Sequence, residues 1–256
     1  MSEMLLVLLA GLAAGTLNAV GGGGTFVALP ALVAVGLPPV TANAASTIAL
    51  LPGSVAGAWV SRHRITQVGT ASPRALTTTS VLGGALGAAL LLLLPSASFD
   101  AAVPWLLAFA TVVLAFGRRL FRLLVTTPGP AAGLGPRALL TGQFLLAVYG
   151  GYFGGAVGIL MLALWSVALG LDPATGNPMR IAQVTAVYLS ATALFLIASD
   201  ALGAPHLLAA MLTGAVAGGL AGARLALRLP ARVLRGVVLG TAVTMTVLYF
   251  LREGAR

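Results

Sequence analysis

The chain has no cysteine among its 256 residues. Disulfides, thiolate metal sites and cysteine nucleophiles are therefore excluded. Charge is scarce too. Charged residues make up 7% of the chain, and only five are acidic: Glu3, Asp100, Asp172, Asp200 and Glu253. A soluble domain carries roughly 25% charged residues. All five acids fall at the ends of apolar segments, so no intramembrane carboxylate is available for a proton relay. His63 and His206 also avoid the middle of any segment. No His-Glu-x-x-His, Gly-x-Ser-x-Gly or Gly-Lys-Ser/Thr motif occurs. The expectation is no catalytic residue, no metal and no cofactor.

What is present is apolar. Hydrophobic residues make up 59% of the chain and the mean hydropathy is +1.05. This predicts an all-α, polytopic integral membrane protein with room for about ten membrane elements and no soluble domain. The net charge is +9, carried by basic residues clustered between apolar segments. No basic stretch is interleaved with aromatics, so the partner implied is the lipid bilayer and not nucleic acid. The start, Met1–Ser–Glu–Met, lacks a basic n-region, and the run after it reads as retained structure.

The chain repeats itself at an offset of 134 residues. Val33, Ala34, Gly36, Leu37, Pro39, Thr41 and Asn43 recur as Val167, Ala168, Gly170, Leu171, Pro173, Thr175 and Asn177. Gly69/Gly203, Thr79/Thr213, Gly84/Gly218 and Leu86/Leu220 extend the match. We read residues 1–130 as one repeat and 131–256 as the other, within one integral domain.

The apolar segments of the first repeat run 4–20, 24–36, 43–61, 75–94 and 104–124. Those of the second run 138–154, 157–170, 181–199, 205–223 and 236–251. The first pair in each repeat is short and joined through glycine: Gly21–Gly24 in one, Gly154, Gly155 and Gly158 in the other. Glycine in a helix interior costs roughly 1 kcal/mol relative to Ala. Each pair is therefore expected to be two short helices meeting at a break, the second break less open than the first.

Basic residues fix the expected orientation. Residues 62–74, 117–137 and 224–235 carry the arginines, whereas 95–103 and 199–205 carry Asp100 and Asp200. Placing all three basic loops in the cytoplasm requires an odd number of crossings per repeat, hence inverted repeats with external termini. Whether the first pair of each repeat crosses twice or re-enters is open. Small residues recur at four-residue spacing at Gly11/Gly15, Gly53/Gly57, Gly83/Gly87 and Gly214/Gly218/Gly222. They either close helices within one chain or form the seam of a homodimer.

Two breaks at membrane depth are tolerated only around protein or a wet cavity. The N–H groups of Gly21, Gly22, Gly23 and Gly24 would open a helix N-terminus, an anion-binding end, with Thr25 adding a hydroxyl. Gly155, Gly158 and Tyr152 belong to the second break. The third segments begin Thr41-Ala-Asn43-Ala-Ala-Ser46-Thr47 and Thr175-Gly-Asn177-Pro-Met-Arg180-Ile-Ala-Gln183. Asn43, Ser46 and Thr47 share a helical face, as do Asn177, Arg180 and Gln183. The two asparagines either cap their helices or contact a ligand. A guanidinium near a membrane cavity is costly, and its fork suits carboxylate, sulfonate or phosphate oxygens.

The stretches 21–32, 37–47 and 149–162 together make the chain resemble the TauE/SafE sulfite-exporter family of bacterial membrane proteins. The resemblance covers essentially the whole chain. It implies a multi-pass protein of the bacterial inner membrane that moves a small sulfur-containing anion: sulfite, a sulfonate or sulfoacetate. It also implies site roles for Gly21–Gly24 and Asn43, and for Asn177 with Arg180, where Arg stands in an Asn-x-x-Lys-like pattern. Ala156 and Val157 interrupt the second glycine motif. The expected function is export of such an anion by alternating access at a midplane site between inverted repeats. A channel-like anion conduit, or a membrane assembly or sensor protein whose glycines only pack helices, are the alternatives.

Overall fold

The computed structural model describes residues 2–65, 71–125, 135–171, 173–226 and isolated positions between 236 and 247. The tenth expected segment is described only at isolated positions, and the cluster from Arg224 to Arg235 and Arg252 and Arg256 lie wholly or in their side chains outside the described residues. Among the described residues there are nine α-helices and no strand. They are α1 (Ser2–Gly21), α2 (Thr25–Ala34), α3 (Pro39–Ser61), α4 (Pro73–Leu93), α5 (Ser96–Val125), α6 (Pro136–Tyr152), α7 (Val157–Leu169), α8 (Pro173–Ala198) and α9 (Pro205–Ala226).

Among the described residues, four stretches are long and apolar enough to cross a bilayer: Ser2–Ala19, Pro39–Arg64, Pro73–Leu93 and Thr175–Ala198. The chain is thus a membrane protein. With 10 and 13 residues, α2 and α7 are too short to cross alone. The order long, short, long, long recurs: α1 to α4 correspond to α6 to α9 at the 134-residue offset, within a few residues at each end.

Three helix starts differ from the apolar runs. Both α3 and α8 begin at a proline, Pro39 and Pro173, several residues before their apolar runs. Proline fits the first helical turn because its missing N–H would be unpaired there. Asn43 and Asn177 therefore sit inside helices, and the capping reading fails for both; the α3 cap position is Pro38. The stretch 95–103 is not a loop. Only Leu94 and Pro95 separate α4 from α5, and Phe99 and Val103 are core residues. Phe99 meets the Tyr152 ring edge-on at 5.5 Å. Burying that face outweighs the hydrogen bond lost at Pro104 within α5.

The glycine stripes close helix pairs inside the chain. Helix α1 lies along α9, and α4 lies along α6. A methyl group on Gly15 would strike the backbone of Ala215, and one on Gly218 would strike Leu12 O. On the other pair, Gly87 faces Val148 O and Gly151 faces Gly84 O in the same way. Only hydrogen in place of Cβ permits such backbone contact. Thr16 adds a hydrogen bond from its Oγ1 to Gly218 O at 3.0 Å. Gly53 instead has nothing within 4 Å of where its Cβ would stand. Between these pairs, α3 and α8 cross antiparallel. Thr185 Oγ1 donates to Ser54 O at 3.0 Å, and Gly57 faces Ile181.

Candidate functional site

The two breaks share a backbone conformation. After α1 the chain turns at Gly22, with φ +73°, and α2 begins at Thr25. After α6 it turns at Gly154, φ +80°, and again at Ala156, φ +57°. Position 156 is the 134-residue equivalent of Gly22. Ala156 is the one described non-glycine residue with positive φ. An L-residue pays roughly 1–2 kcal/mol in that region. The second break is thus as sharp as the first although its sequence is poorer in glycine.

Both breaks leave amides unused. The first α2 amides to find backbone acceptors are Phe26 N–H, to Gly23 O, and Val27 N–H, to Gly24 O. The N–H groups of Gly23, Gly24 and Thr25 are unpaired by the described residues. In α7 the first such amide is Ile159 N–H, to Ala156 O. These are the partly positive ends of two short helices.

Arg180 reaches both. It leaves the second turn of α8 and is 4% exposed. A methyl on Gly22 would stand 3.0 Å from its Nη1, and one on Gly158 would stand 2.8 Å from the same atom. The side chain therefore lies where the first break and the start of α7 come together, and glycine at 22 and 158 makes the room. Its Nε donates to Asn177 Oδ1 at 2.8 Å. That is the one hydrogen bond the described residues give a group with five N–H donors. No carboxylate among the described residues answers the charge: Glu3, Asp100 and Asp200 are exposed, and Asp172 and Glu253 lie outside the described residues. A buried, unpaired guanidinium costs several kcal/mol, a cost that an anion would offset.

The remaining expected residues divide. Thr25 is buried and faces Gly154; its Oγ1 would be 3.4 Å from a methyl there, and the Tyr188 ring 3.6 Å away. The Tyr188 hydroxyl donates to Gly154 O at 3.2 Å. So Thr25, Gly154 and Tyr188 knit the two breaks together. Tyr188 escaped the sequence reading, but its 134-residue equivalent is Ser54, whose hydroxyl accepts from Asn18 Nδ2 at 3.1 Å beside the first break. Two polar residues at matching positions were the available signal. Asn43 is fully buried and donates Nδ2 to Tyr152 O at 2.9 Å, at the second break. The hydroxyls of Ser46 and Thr47 bond back to Ala42 O and Asn43 O. The Tyr152 side chain is half-buried against Phe99. Gly155 lies under the Phe153 ring, and Gly21 ends α1. Asn177 is exposed at its Arg180 contact.

Gln183 turns away from the breaks into a second polar cluster. Trp165 Nε1 donates to Gln143 Oε1 at 3.1 Å, and Gln143 Nε2 donates to Ser80 Oγ at 2.9 Å. Ser80 donates to Gln183 Oε1 at 2.9 Å, and Gln183 Nε2 donates to Thr77 Oγ1 at 3.2 Å. Gln143, Ser80 and Gln183 are 0–1% exposed and every one is satisfied. The cluster ties α7, α6, α4 and α8 with no donor to spare for a ligand.

Arg180 thus stands, without a carboxylate among the described residues, where the two short-helix breaks meet. The description Sulfite exporter TauE/SafE matches residues 7–249. The chain belongs to the sulfite exporter TauE/SafE family. No curated protein matches it at a significant level. Membership makes this a membrane protein of a transporter family for sulfite-type anions, and the match spans both breaks, Asn43, Asn177 and Arg180.

Proposed function

We propose that the protein exports a small sulfur oxyanion, of the sulfite, sulfonate or sulfoacetate class, across the bacterial inner membrane. The observation that carries this reading is the buried Arg180 guanidinium, which has no carboxylate partner among the described residues and abuts Gly22 and Gly158. The anion's oxygens take the free Nη donors, and the amides of Gly23, Gly24 and Thr25 complete the cradle. Asn177 holds the guanidinium from behind through Nε.

Alternating access is supported by reciprocity. The first helix of each half packs on the fourth helix of the other, α1 on α9 and α6 on α4, and α3 and α8 run antiparallel. This is what two inverted repeats, 1–130 and 131–256, require. Rocking one repeat against the other opens the site to either side in turn. Export needs no carboxylate relay: a potential of 100 mV, inside negative, contributes about 2.3 kcal/mol per charge, roughly fifty-fold for a monoanion.

The test is thermal stabilisation of the purified protein by sulfite, methanesulfonate, sulfoacetate, acetate and phosphate. The expected result is a shift with a sulfur oxyanion that is abolished in Arg180→Gln and weakened in Arg180→Lys. Arg180→Met should melt no lower than wild type, because it removes an uncompensated charge. An unchanged anion shift in Arg180→Gln would sink the proposal. Counterflow of labelled sulfite in liposomes separates a carrier, which shows it, from a conduit, which does not.

A further inference from the structure

Asn43 and Asn177 occupy the same position in the two halves, and their amide oxygens meet different fates. Asn177 Oδ1 accepts from Arg180 Nε at 2.8 Å. Asn43 Oδ1 is buried and accepts from nothing among the described residues. Its orientation is fixed, because the opposite end of the amide must present N–H to Tyr152 O at 2.9 Å. The residue that would supply a cation, by equivalence with Arg180, is Ser46. Ser46 is too short and spends its hydroxyl on Ala42 O at 2.7 Å.

The space around the two sites differs in the same sense. A methyl on Gly158 would meet Arg180 Nη1, Arg180 Cδ and then Val184. At the equivalent Gly24 the nearest atoms belong to Ala14, Asn18 and Leu50, and none to Ser46. Leu50 is the counterpart of Val184. The aliphatic wall is thus kept and the cationic side chain is missing. An amide oxygen with no donor, at 0% exposure, carries its full desolvation penalty if left so.

We infer that Asn43 Oδ1 marks a second subsite, for a small monovalent cation, where the first half of the chain takes from solution what the second half builds in as Arg180. A neutral amide oxygen suits a hard cation held by oxygen, or an ammonium group. The two sources are a free co-ion such as Na⁺ and the ammonium of a zwitterionic sulfonate. The inference goes beyond the anion site and does not depend on which anion binds there.

Purified full-length protein is melted in NaCl, KCl, NH₄Cl and N-methylglucamine chloride at equal chloride and ionic strength, and separately with an aminosulfonate in N-methylglucamine. The expected result is a saturable upward shift with one small cation or with the aminosulfonate. A small-cation shift should be absent in Asn43→Ala and retained in Arg180→Gln and Asn177→Ala, whereas an aminosulfonate shift, which also uses the anion site, should be lost in Arg180→Gln and reduced in Asn43→Ala. A shift with Na⁺ alone identifies a co-ion; a shift confined to ammonium and the aminosulfonate identifies the substrate's own cationic end. Identical melting of the wild type in all four chlorides, with an aminosulfonate shift that Asn43→Ala leaves unchanged, overturns the subsite, and so does a cation shift that survives Asn43→Ala. If Asn43→Ala does not fold, the wild-type series with Arg180→Gln still decides. Loss of the sulfite effect in Arg180→Gln with no cation effect anywhere sinks this inference and leaves the anion site standing.

Discussion

Glycine does two different jobs in this molecule. At Gly15, Gly87, Gly151 and Gly218 it lets helix backbones touch, within regular helices. At Gly22, Gly154 and Gly158 it shapes the breaks and leaves room for a guanidinium. The first kind is explained by packing alone. The second is not, because a packed core does not require positive φ beside an unpaired cation. A protein whose glycines only stitched helices would have no use for Ala156 in a left-handed conformation at a cost of roughly 1–2 kcal/mol.

Substitutions should separate the two jobs. Gly218→Ala pushes a methyl into Leu12 O, so α1 and α9 must part. We expect about 3 kcal/mol of destabilisation and a Tm lower by roughly 10 °C, with sulfite affinity unchanged in whatever folds. Gly22→Ala should do the reverse. It costs about 1–2 kcal/mol in strain, but crowding Arg180 Nη1 should weaken anion binding roughly tenfold. Equal effects of both variants on affinity, measured by titration calorimetry, would erase the distinction. Trp165→Phe removes the donor to Gln143 Oε1 and leaves that oxygen buried and unpaired. It should cost about 1–2 kcal/mol and leave sulfite affinity within twofold. A larger affinity loss would show that the Gln143 cluster reaches the site. The smallest effect belongs to Ala156→Gly. Relief of strain, partly offset by the entropy of a freer unfolded chain, should stabilise by about 0.5 kcal/mol. A fall in Tm instead would mean that the Ala156 methyl carries a packing contact worth more than its strain.

Much of the frame was legible in the chain. The offset of 134, the short–long order of segments and the position of the first break followed from repeated Pro, Thr and Asn and from a run of four glycines. Arg180 stood out because an arginine among apolar residues needs a reason. Other features were opaque for physical causes. Ala156 carries no hint of left-handed φ, since alanine disfavours it and only tertiary packing imposes it. The start of α5 hid behind Pro104, because composition does not reveal that Phe99 and Val103 have a core to enter. The Gln143–Ser80–Gln183 cluster joins single polar residues from separate helices, and no local pattern links positions 63 and 103 residues apart. Asn43 and Asn177 looked like caps because the apolar runs begin after them, while the true helix starts are set by the preceding prolines.

The pairing of α1 with α9 has a consequence for how the chain is made. The two stitched faces lie far apart in the chain, Thr16 bonding Gly218 across 202 positions, so at ribosomal speeds of about 5–20 residues per second α1 waits on the order of 10–40 s for its partner. During that interval Gly11 and Gly15 present bare backbone to lipid or to the insertion machinery. The first half of the protein is therefore a client that needs sheltering until the second half arrives, and chains truncated before Pro205 should be handed to membrane proteases instead of accumulating.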